Sequence, residues 1–439
     1  MKKQDEERLY EDTRYEIKDL KKAFLVGCYL RKKDLDTCYE HLHELGSLAT
    51  TYGFEIAFKA PCSLRKIEVS TYLGKGKLNE LIEQALQCKA EIIIFDEEIS
   101  PNQQKNLERL FKKPVIDRTE LILEIFSKRA HTKEAKLQVE LARSSYLLPR
   151  LKRLWTHLSR QRTGGKGFLK GEGERQIEID RRLIRKRVSQ LKKEIEEVRL
   201  NRMVQREARV RSHIPTFGIV GYTNAGKSTL LRALTQAEVL IEDKLFATLD
   251  TTTRKFKLPN HQDILLIDTV GFIRKIPHTL VAAFKSTLEE AFYTDILIHM
   301  IDINHPLALE HAEATYKVLD ELNIKDKPII TILNKIDLVK DKGVVARFKL
   351  KYPRVVPIAA SSGQGLDRLT EYMATALKDL RETVNLKVPQ KDYAVLSQIL
   401  EQGDVLYRDY EGNDVLLKVQ IPKHLKSKVK AFMIEDNDT

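Results

Sequence analysis

A glycine-rich stretch between Thr216 and Leu231 carries residue types that can hold a nucleotide phosphate. Its motif, G-x-x-x-x-G-K-S, follows an apolar run and precedes a helical pattern, as a phosphate-binding loop requires. The two glycines let backbone N–H groups and the helix N-terminus approach an anion closely. Lys227 would neutralise the β- and γ-phosphates, and the Ser228 hydroxyl would bind Mg²⁺. The predicted cofactor-binding loop consists of Gly221, Tyr222, Thr223, Asn224, Ala225, Gly226, Lys227 and Ser228.

A second stretch of the same kind follows the apolar run Ile264–Ile267 and reads Asp-Thr-Val-Gly. The carboxylate of Asp268 can hold Mg²⁺ through water, and the Gly271 N–H can sense a γ-phosphate. This stretch adds four predicted cofactor-binding residues: Asp268, Thr269, Val270 and Gly271.

A third stretch indicates which base is bound. The apolar run Pro328–Leu333 ends in Asn-Lys-Ile-Asp, where the Asp337 carboxylate can accept hydrogen bonds from N1–H and the 2-amino group of guanine. Adenine offers neither donor, and an unpaired buried acceptor discriminates by several kcal/mol. A further loop can close over the base with its backbone N–H groups. The residues predicted here are Asn334, Lys335, Ile336, Asp337, Ala359, Ala360 and Ser361.

The spacing of Lys227, Asp268 and Asp337 resembles that of the translation-factor-type P-loop GTPases. We therefore predict a GTP/GDP site that uses Mg²⁺. Two departures from the usual pattern concern the base-closing loop, which reads Ala-Ala-Ser where Ser-Ala-Lys is usual, and the switch region, where Thr251 replaces a common proline. Both leave the backbone donors and the metal ligands in place.

Composition places these motifs in a multidomain protein that is predicted to be cytoplasmic. A chain of 439 residues is long enough for two or three domains with separate cores. No apolar run approaches the roughly 20 residues of a membrane span, and the first residues lack an apolar signal core. The four cysteines have no C-x-x-C spacing, so zinc is not predicted and reduced thiols are expected: Cys28, Cys38, Cys62 and Cys88.

Alternating strand and helix patterns predict an α/β fold with four parts: an N-terminal α/β domain, a long two-helix stalk, a P-loop GTPase domain with a mostly parallel sheet, and a small C-terminal α+β module. The predicted boundaries are residues 1–130, 131–211, 212–381 and 382–439. Asp96, Glu97 and Glu98 follow a predicted strand, and we interpret them as a cap for the next helix.

The stalk is predicted from an apolar seam on its second helix, expected from about Asp180 to Arg211. The seam residues have the 4, 3, 4, 3 spacing of an a/d stripe: Ile184, Val188, Leu191, Ile195 and Val198. Between the two stalk helices, a loop at about 160–175 is rich in glycine and positive charge. The stretch 150–187 contains thirteen Lys/Arg and only four Asp/Glu, so it carries most of the chain's net charge of +13.

This charge predicts a phosphate-rich partner, and a solvated flexible linker is the alternative. The predicted RNA contacts are Arg160, Arg162, Lys166 and Lys170.

The chain resembles the HflX family along most of its length. The resemblance is carried by Leu73–Leu78, Val115–Thr119, Gln138–Leu141, Glu178–Arg182 and Phe246–Asp250. It implies a ribosome-associated GTPase. Members are implicated in splitting stalled or stress-inactivated ribosomes by binding the large subunit, and RNA unwinding is ascribed to some.

The resemblance also implies a set of residue roles. It gives Thr248 the role of the Mg²⁺-binding switch threonine, although Thr251, Thr252 and Thr253 compete on spacing alone. The implied metal ligands are Ser228, Thr248 and Asp268, and the implied catalytic residues are Lys227, Thr248 and Gly271. The predicted switch segment contributes Phe246, Ala247, Thr248, Leu249 and Asp250 to the cofactor site.

Phe272 follows the D-x-x-G glycine, where many GTPases have a glutamine that orients the attacking water. A phenyl ring can neither accept a hydrogen bond from a water molecule nor orient it. We therefore predict slow intrinsic hydrolysis that the ribosome stimulates. No arginine is an evident finger in cis, although Arg274 is close in sequence.

We predict a monomer that binds the large ribosomal subunit and its RNA, not DNA, and that splits ribosomes in a GTP-dependent manner. The alternatives are a GTP-gated inhibitor or assembly checkpoint that occupies the subunit without splitting, and an RNA-unwinding factor. Peripheral association with membranes, together with ribosomes, also stays open.

Overall fold

The computed structural model describes residues 21–151, 170–211, 214–235, 245–246, 252–275, 293–321, 324, 327–339, 341, 343–378, 381–422 and 425–434. Within these ranges the secondary structure forms three separate sheets, with helices packed on them and between them. No helix in the described ranges is long and apolar enough to cross a lipid bilayer.

The first sheet is parallel, with the strand order β2-β1-β3-β4. All four residues of its third strand are buried, as expected where helices cover both faces of a parallel sheet. Its elements are β1 (Lys22–Tyr29), α1 (Leu35–Tyr52), β2 (Glu55–Ser63), α2 (Lys75–Gln87), β3 (Ile92–Phe95), α3 (Pro101–Phe111), β4 (Val115–Asp117) and α4 (Arg118–Arg129).

The interpretation of Asp96, Glu97 and Glu98 as a helix cap is wrong. Helix α3 is capped by Ser100, whose side chain accepts a hydrogen bond from the Gln103 N–H while the Gln103 side chain accepts one from Ser100 N–H. This reciprocal pair satisfies the free N–H groups of the first turn, so the carboxylates before it are available for other contacts.

Two helices then lead to the nucleotide-binding sheet: α5 (Lys133–Leu147) and α6 (Lys170–Arg211). They pack together, and the Arg187 guanidinium forms an ion pair of 2.7 Å with Glu140. On the predicted seam of α6, Ile184 and Leu191 are buried. A helix of 42 residues is about 63 Å long at about 1.5 Å per residue.

Helix α6 begins ten residues earlier than the sequence predicts, so residues 170–175 are helical and the predicted end of the loop is wrong. The strong helix formers Glu172, Glu174 and Arg175 alternate with two glycines there. Continuation of a long helix that is already packed outweighs the glycine cost of about 1 kcal/mol per residue.

The second sheet has the strand order β10-β9-β8-β5-β7-β6, and all its pairs are parallel except β6 with β7. The carboxyl ends of its parallel strands therefore meet at one edge, where ligands bind in open α/β sheets. Its elements are β5 (Thr216–Gly221), α7 (Lys227–Thr235), β6 (Thr252–Lys257), β7 (Asp263–Asp268), β8 (Ile296–Asp302), α8 (Ala308–Glu321), β9 (Ile329–Asn334), α9 (Gly343–Lys351), β10 (Val355–Pro357) and α10 (Leu366–Lys378).

The third sheet is antiparallel, with the order β11-β13-β12, and one helix packs on it through the buried Leu396 and Ile399. The predicted hairpin turn joins β12 and β13 at Gly412, which has a φ of 63°. The elements are β11 (Arg381–Pro389), α11 (Tyr393–Gln402), β12 (Asp404–Glu411), β13 (Asp414–Pro422) and α12 (Lys426–Val429). The predicted fold class is thus confirmed.

The first two sheets share a hydrophobic core. One contiguous cluster joins Leu45 of α1 and Phe126 of α4 to Phe246 and Phe272, which lie beside the phosphate-binding loop. Burial of this apolar surface fixes the N-terminal domain against the nucleotide-binding edge of the second sheet.

Candidate functional site

The predicted phosphate-binding loop connects β5 to α7 and has the backbone that its glycines allow. Gly221 and Gly226 have φ values of 153° and 97°, a region that side chains disfavour. A Cβ on Gly221 would lie 2.3 Å from the Met300 carbonyl oxygen, and one on Gly226 would lie 2.3 Å from Asn334 Nδ2. Only glycine fits these two positions, so the loop can wrap closely around a phosphate.

Lys227 begins α7 and is buried beneath this loop. Its ammonium donates to the carbonyl oxygens of Tyr222, at 2.9 Å, and Gly221, at 3.2 Å. Burial lowers the pKa of Lys227 to about 8, and the charge of Asp268 opposes that shift. Asp268 therefore compensates the buried ammonium only in part, and phosphate oxygens would supply further acceptors for it.

Ser228 and Asp268 form a pair that fits a hard cation. The Ser228 hydroxyl donates to Asp268 Oδ2 at 2.7 Å. The other oxygen, Oδ1, is buried and has no hydrogen-bond partner among the described residues. Burial raises the pKa of Asp268, and the charge of Lys227 and the hydrogen bond from Ser228 only partly oppose that shift. An orphaned carboxylate oxygen beside a hydroxyl is the oxygen-donor set that Mg²⁺ prefers.

Gly271 and Phe272 connect the segment after β7 to the phosphate-binding loop. The Phe272 N–H donates to the Gly221 carbonyl at 3.0 Å, and the Thr223 N–H donates to the Phe272 carbonyl at 2.7 Å. A Cβ on Gly271 would lie 2.9 Å from Lys227 Nζ, so this glycine leaves room beside the ammonium that is predicted to hold the γ-phosphate. The Phe272 ring is 2% exposed and packs in the shared core.

The base-recognition residues follow β9. Asn334 is buried and bridges two loops: its Nδ2 donates to the Ala225 carbonyl at 2.8 Å, and its Oδ1 accepts from the Ala360 N–H at 3.0 Å. Lys335 pairs with Asp302 at 2.7 Å. Asp337 is exposed at the rim of this loop cluster, and Ala359 is buried against it. The side-chain amide of Asn334 thus joins the predicted base loop to the phosphate loop.

Several predicted residues lie outside the described residues: Ala247, Thr248, Leu249, Asp250, Thr251, Arg160, Arg162 and Lys166. Of the competing threonines, Thr252 and Thr253 lie on β6 and pair with Asp268 and Ile267 of β7. Lys170 is the first residue of α6.

Tyr222, the second residue of the loop motif, has contacts that the sequence does not predict. Its ring stacks on His311 of α8 at 3.7 Å between centroids and 4° between planes. Its hydroxyl donates to Glu44 of α1 at 2.5 Å and accepts from the Arg274 N–H at 2.7 Å. The phosphate loop is therefore bonded directly to the N-terminal domain.

A buried cluster of charges surrounds this tyrosine. Arg274 binds Glu44 and Asp96, both at 2.8 Å, and Arg118 binds the same two carboxylates at 3.1 and 2.9 Å. Lys275 adds a pair with Asp96 at 3.1 Å. Burial opposes ionisation of Asp96, but the charges of Arg118 and Arg274 hold its pKa well below the usual range. Arg274 therefore serves the domain interface, and its guanidinium is turned away from the phosphate loop.

The segment around Phe246 contacts the same domain. The Phe246 ring meets Phe126 of α4 edge-on, with centroids 4.5 Å apart. The Leu245 N–H donates to the Thr51 hydroxyl of α1 at 3.3 Å. Phe246 of the predicted switch segment and Arg274, which follows the Asp-Thr-Val-Gly stretch, thus both pack on the N-terminal domain. No sequence pattern predicts this arrangement, because each contact joins residues about 120 or more positions apart.

Comparison with known proteins gives consistent matches along the chain. Family models match consecutive parts: GTP-binding GTPase N-terminal over 39–127, GTP-binding GTPase Middle Region over 129–209, and 50S ribosome-binding GTPase over 216–335. GTPase HflX of Chlamydia pneumoniae is 47% identical over 419 residues, which cover 94% of this chain and 89% of that protein.

GTPase HflX of Escherichia coli (strain K12) is 39% identical over 403 residues, which cover 91% of this chain and 93% of that protein. Among solved structures, a GTP-binding protein from Sulfolobus solfataricus in complex with GDP is 28% identical. The match covers 82% of this chain and 100% of that chain, with a TM-score of 0.43.

Proposed function

Because this chain belongs to the HflX family of GTPases, we propose that it binds the large ribosomal subunit and dissociates stalled or stress-inactivated ribosomes under the control of GTP. The match of residues 216–335 to a family described as 50S ribosome-binding GTPases supports the choice of subunit. The observation that carries the proposal is the direct bonding of the phosphate loop and its neighbour Arg274 to the N-terminal domain.

In the proposed site, GTP lies along the loop edge of the second sheet. Lys227 and the loop N–H groups hold the phosphates, Gly271 responds to the γ-phosphate, and Asp337 accepts from guanine. Ser228, Thr248 and Asp268 would hold Mg²⁺, which neutralises the charge that develops between the β- and γ-phosphates. The orphaned oxygen of Asp268 supports this assignment.

The proposed switch uses the contacts between the two domains. Phe272 is hydrogen-bonded to the phosphate loop, and Arg274, two residues later, is held by Glu44 and Asp96. A change in Gly271 on loss of the γ-phosphate would reach the N-terminal domain through two residues of backbone. The nucleotide would thereby set the orientation of the part that engages the ribosome, and hydrolysis would permit release.

The proposed RNA contact is the basic segment at about 160–175, which ends in the first turns of α6. It lies within the stretch 150–187, whose thirteen Lys/Arg against four Asp/Glu attract phosphate. The contacts that we propose are Arg160, Arg162, Lys166 and Lys170. The proposed acting unit is a monomer in the cytoplasm, where ribosomes work.

Light scattering of intact 70S-type ribosomes tests this function. Wild-type protein with GTP should lower the scattering as the subunits separate. A variant with Arg160, Arg162, Lys166 and Lys170 changed to glutamine should lose splitting while it keeps its affinity for GTP. The matched control removes four exposed charges on the N-terminal domain, at Arg31, Lys32, Lys33 and Lys112, and should split normally.

The same measurement separates the alternative function. A GTP-gated inhibitor or assembly checkpoint would co-sediment with the large subunit but leave the scattering of intact ribosomes unchanged. If wild-type protein gave that outcome, the proposal of splitting would be contradicted, while the proposal of ribosome binding would stand. Equal splitting by both four-residue variants would contradict the assignment of the basic segment.

A further inference from the structure

A cavity of about 360 Å³ lies between the phosphate loop and the N-terminal domain. Helix α1 and strand β2 form one side of it, and Asn224 and Leu245 form the other. Asn224 lies at the apex of the loop with a φ of 61°, and Leu245 precedes the predicted switch threonine. The cavity therefore opens on the outer side of the space where the phosphates of GTP would lie.

Among the described residues that line this cavity, Lys59 of β2 is the one whose side chain carries a full positive charge at neutral pH. Its side chain is half-buried and crosses α1 at Gly46. A Cβ on Gly46 would lie 3.2 Å from Lys59 Cε and 3.3 Å from Nζ, so the absence of a side chain there makes room for the ammonium group. The lysine of one domain thus lines a cavity that Asn224 in the phosphate loop of the other domain also lines.

The surroundings of Lys59 suit an anion. None of the described residues that line the cavity is acidic. Within the described part of the chain, the Lys59 ammonium has no recorded hydrogen bond or ion pair. A partly desolvated ammonium without a carboxylate partner is stabilised by an anionic ligand.

Contacts on either side hold α1 and β2 in place beside the loop. Thr51 of α1 lines the cavity and accepts a hydrogen bond from the Leu245 N–H at 3.3 Å. Two helical turns away along the same face, Glu44 is bonded to Tyr222 at 2.5 Å. These two bonds fix α1, and with it the neighbouring strand β2, against the phosphate loop and Leu245.

We propose that Lys59 is a second cation of the GTP site, contributed by the N-terminal domain. Lys227 lies beneath the loop, with its ammonium at the carbonyls of Gly221 and Tyr222, and Lys59 lines the cavity at Asn224 of the same loop. A second cation there stabilises the negative charge that grows on the phosphate oxygens as the bond to the γ-phosphate breaks. The N-terminal domain thereby takes part in hydrolysis itself.

Single-turnover hydrolysis of GTP by the full chain tests this role. Lys59→Gln should lower the rate about tenfold or more and weaken GTP binding more than GDP binding. Lys59→Arg keeps the charge and should retain most of the rate. Lys66→Gln is the matched control, because Lys66 lies on the same domain with its side chain 76% exposed.

Gly46→Ala provides an independent variant, because its methyl group would press on the end of Lys59. It should lower the hydrolysis rate in wild type and have no further effect when Lys59→Gln is already present. A wild-type rate for Lys59→Gln would overturn the proposal. So would a rate for Lys59→Arg as low as that of Lys59→Gln, or equal losses of GTP and GDP affinity.

Discussion

The carboxylate of Asp337 stands exposed at the rim of the base loop, while its neighbour Asn334 is buried and ties that loop to the phosphate loop. We propose that the two residues have different tasks: Asp337 recognises the base, and Asn334 holds the two loops together. At this position a carboxylate accepts both guanine donors, whereas an amide presents a donor to one of them. The identity of the base therefore depends on a single side chain.

Replacement of Asp337 by Asn tests that dependence. GTP affinity should fall about 100-fold or more, because a donor then faces the N1–H of guanine, and xanthosine triphosphate should bind better than it binds wild type. Competition against a fluorescent guanine nucleotide measures both. Asp341→Asn, in the exposed loop that follows, is the control and should bind GTP normally. Unchanged guanine selectivity in Asp337→Asn would contradict the assignment.

His299 is a second residue whose chemistry can be read from its surroundings. It is fully buried on β8, and neither ring nitrogen has a partner among the described residues. Tyr316 meets the ring edge-on at 5.0 Å. Burial lowers the pKa of His299 to about 3. The imidazole thus stays neutral in the folded protein at pH values where it becomes charged in the unfolded chain.

The sign of the resulting pH dependence follows from linkage. The folded pKa, about 3, lies below the unfolded value, about 6.5, so the unfolded state binds the extra proton between these values and stability falls as pH falls below 6.5. Between pH 7.5 and pH 5.5, this histidine should lower the free energy of unfolding by about 1.3 kcal/mol. His299→Leu should remove that part of the loss, as measured by denaturant unfolding at both pH values. An equal loss in wild type and variant would contradict the shift.

At the scale of elements, α1 meets the phosphate loop through the pair of Glu44 and Tyr222. Burial opposes ionisation of Glu44, but Arg118 and Arg274 hold its pKa below the usual value. Burial raises the pKa of Tyr222, and the neighbouring charge of Glu44 adds to that shift. The tyrosine therefore stays a donor and the carboxylate an acceptor at neutral pH, which makes the bond charge-assisted.

Tyr222→Phe should lower the unfolding free energy by about 1.5–3 kcal/mol, because it leaves a buried carboxylate oxygen without its donor. In a double-mutant cycle with Glu44→Gln, the two losses should be less than additive, since they remove the same contact. Tyr393→Phe changes a tyrosine that is 71% exposed and should have no effect. A loss below 0.5 kcal/mol for Tyr222→Phe would show that the bond does not hold the domains.

The elements also show where sequence reasoning succeeds. The phosphate loop, the stretch at Asp268 and the base loop are contiguous motifs whose residues need only a strand and a turn to position them, so their meeting at one sheet edge is predictable. The contacts of Arg274 with Glu44 and Asp96 join residues of separate domains, and no local pattern around any of the three signals the pairing. The sequence places the start of α6 too late, because the glycines before it indicate a loop locally. Packing along a helix of 42 residues outweighs that local preference and extends the helix.

At the scale of the whole molecule, the proposed nucleotide site borders two domains. Gly271 and Lys227 lie in the domain of the second sheet, while Lys59 and Glu44 come from the N-terminal domain. A partner that changes the position of the N-terminal domain therefore also changes the environment of the phosphates. Ribosome binding and hydrolysis should be coupled in both directions, as linkage requires for binding free energies.

Phe272 makes this coupling testable by kinetics. Its ring is buried in the core shared by the two domains, so no side chain at the usual glutamine position can orient water. Single-turnover hydrolysis should be slow for the free protein, roughly 10⁻⁴ to 10⁻² s⁻¹, and large ribosomal subunits should accelerate it by about 100-fold or more as docking organises the site. Small subunits serve as the control and should have little effect. Fast hydrolysis by the free protein, unchanged by large subunits, would mean that the missing group is already present within the chain and that the ribosome is not the activator.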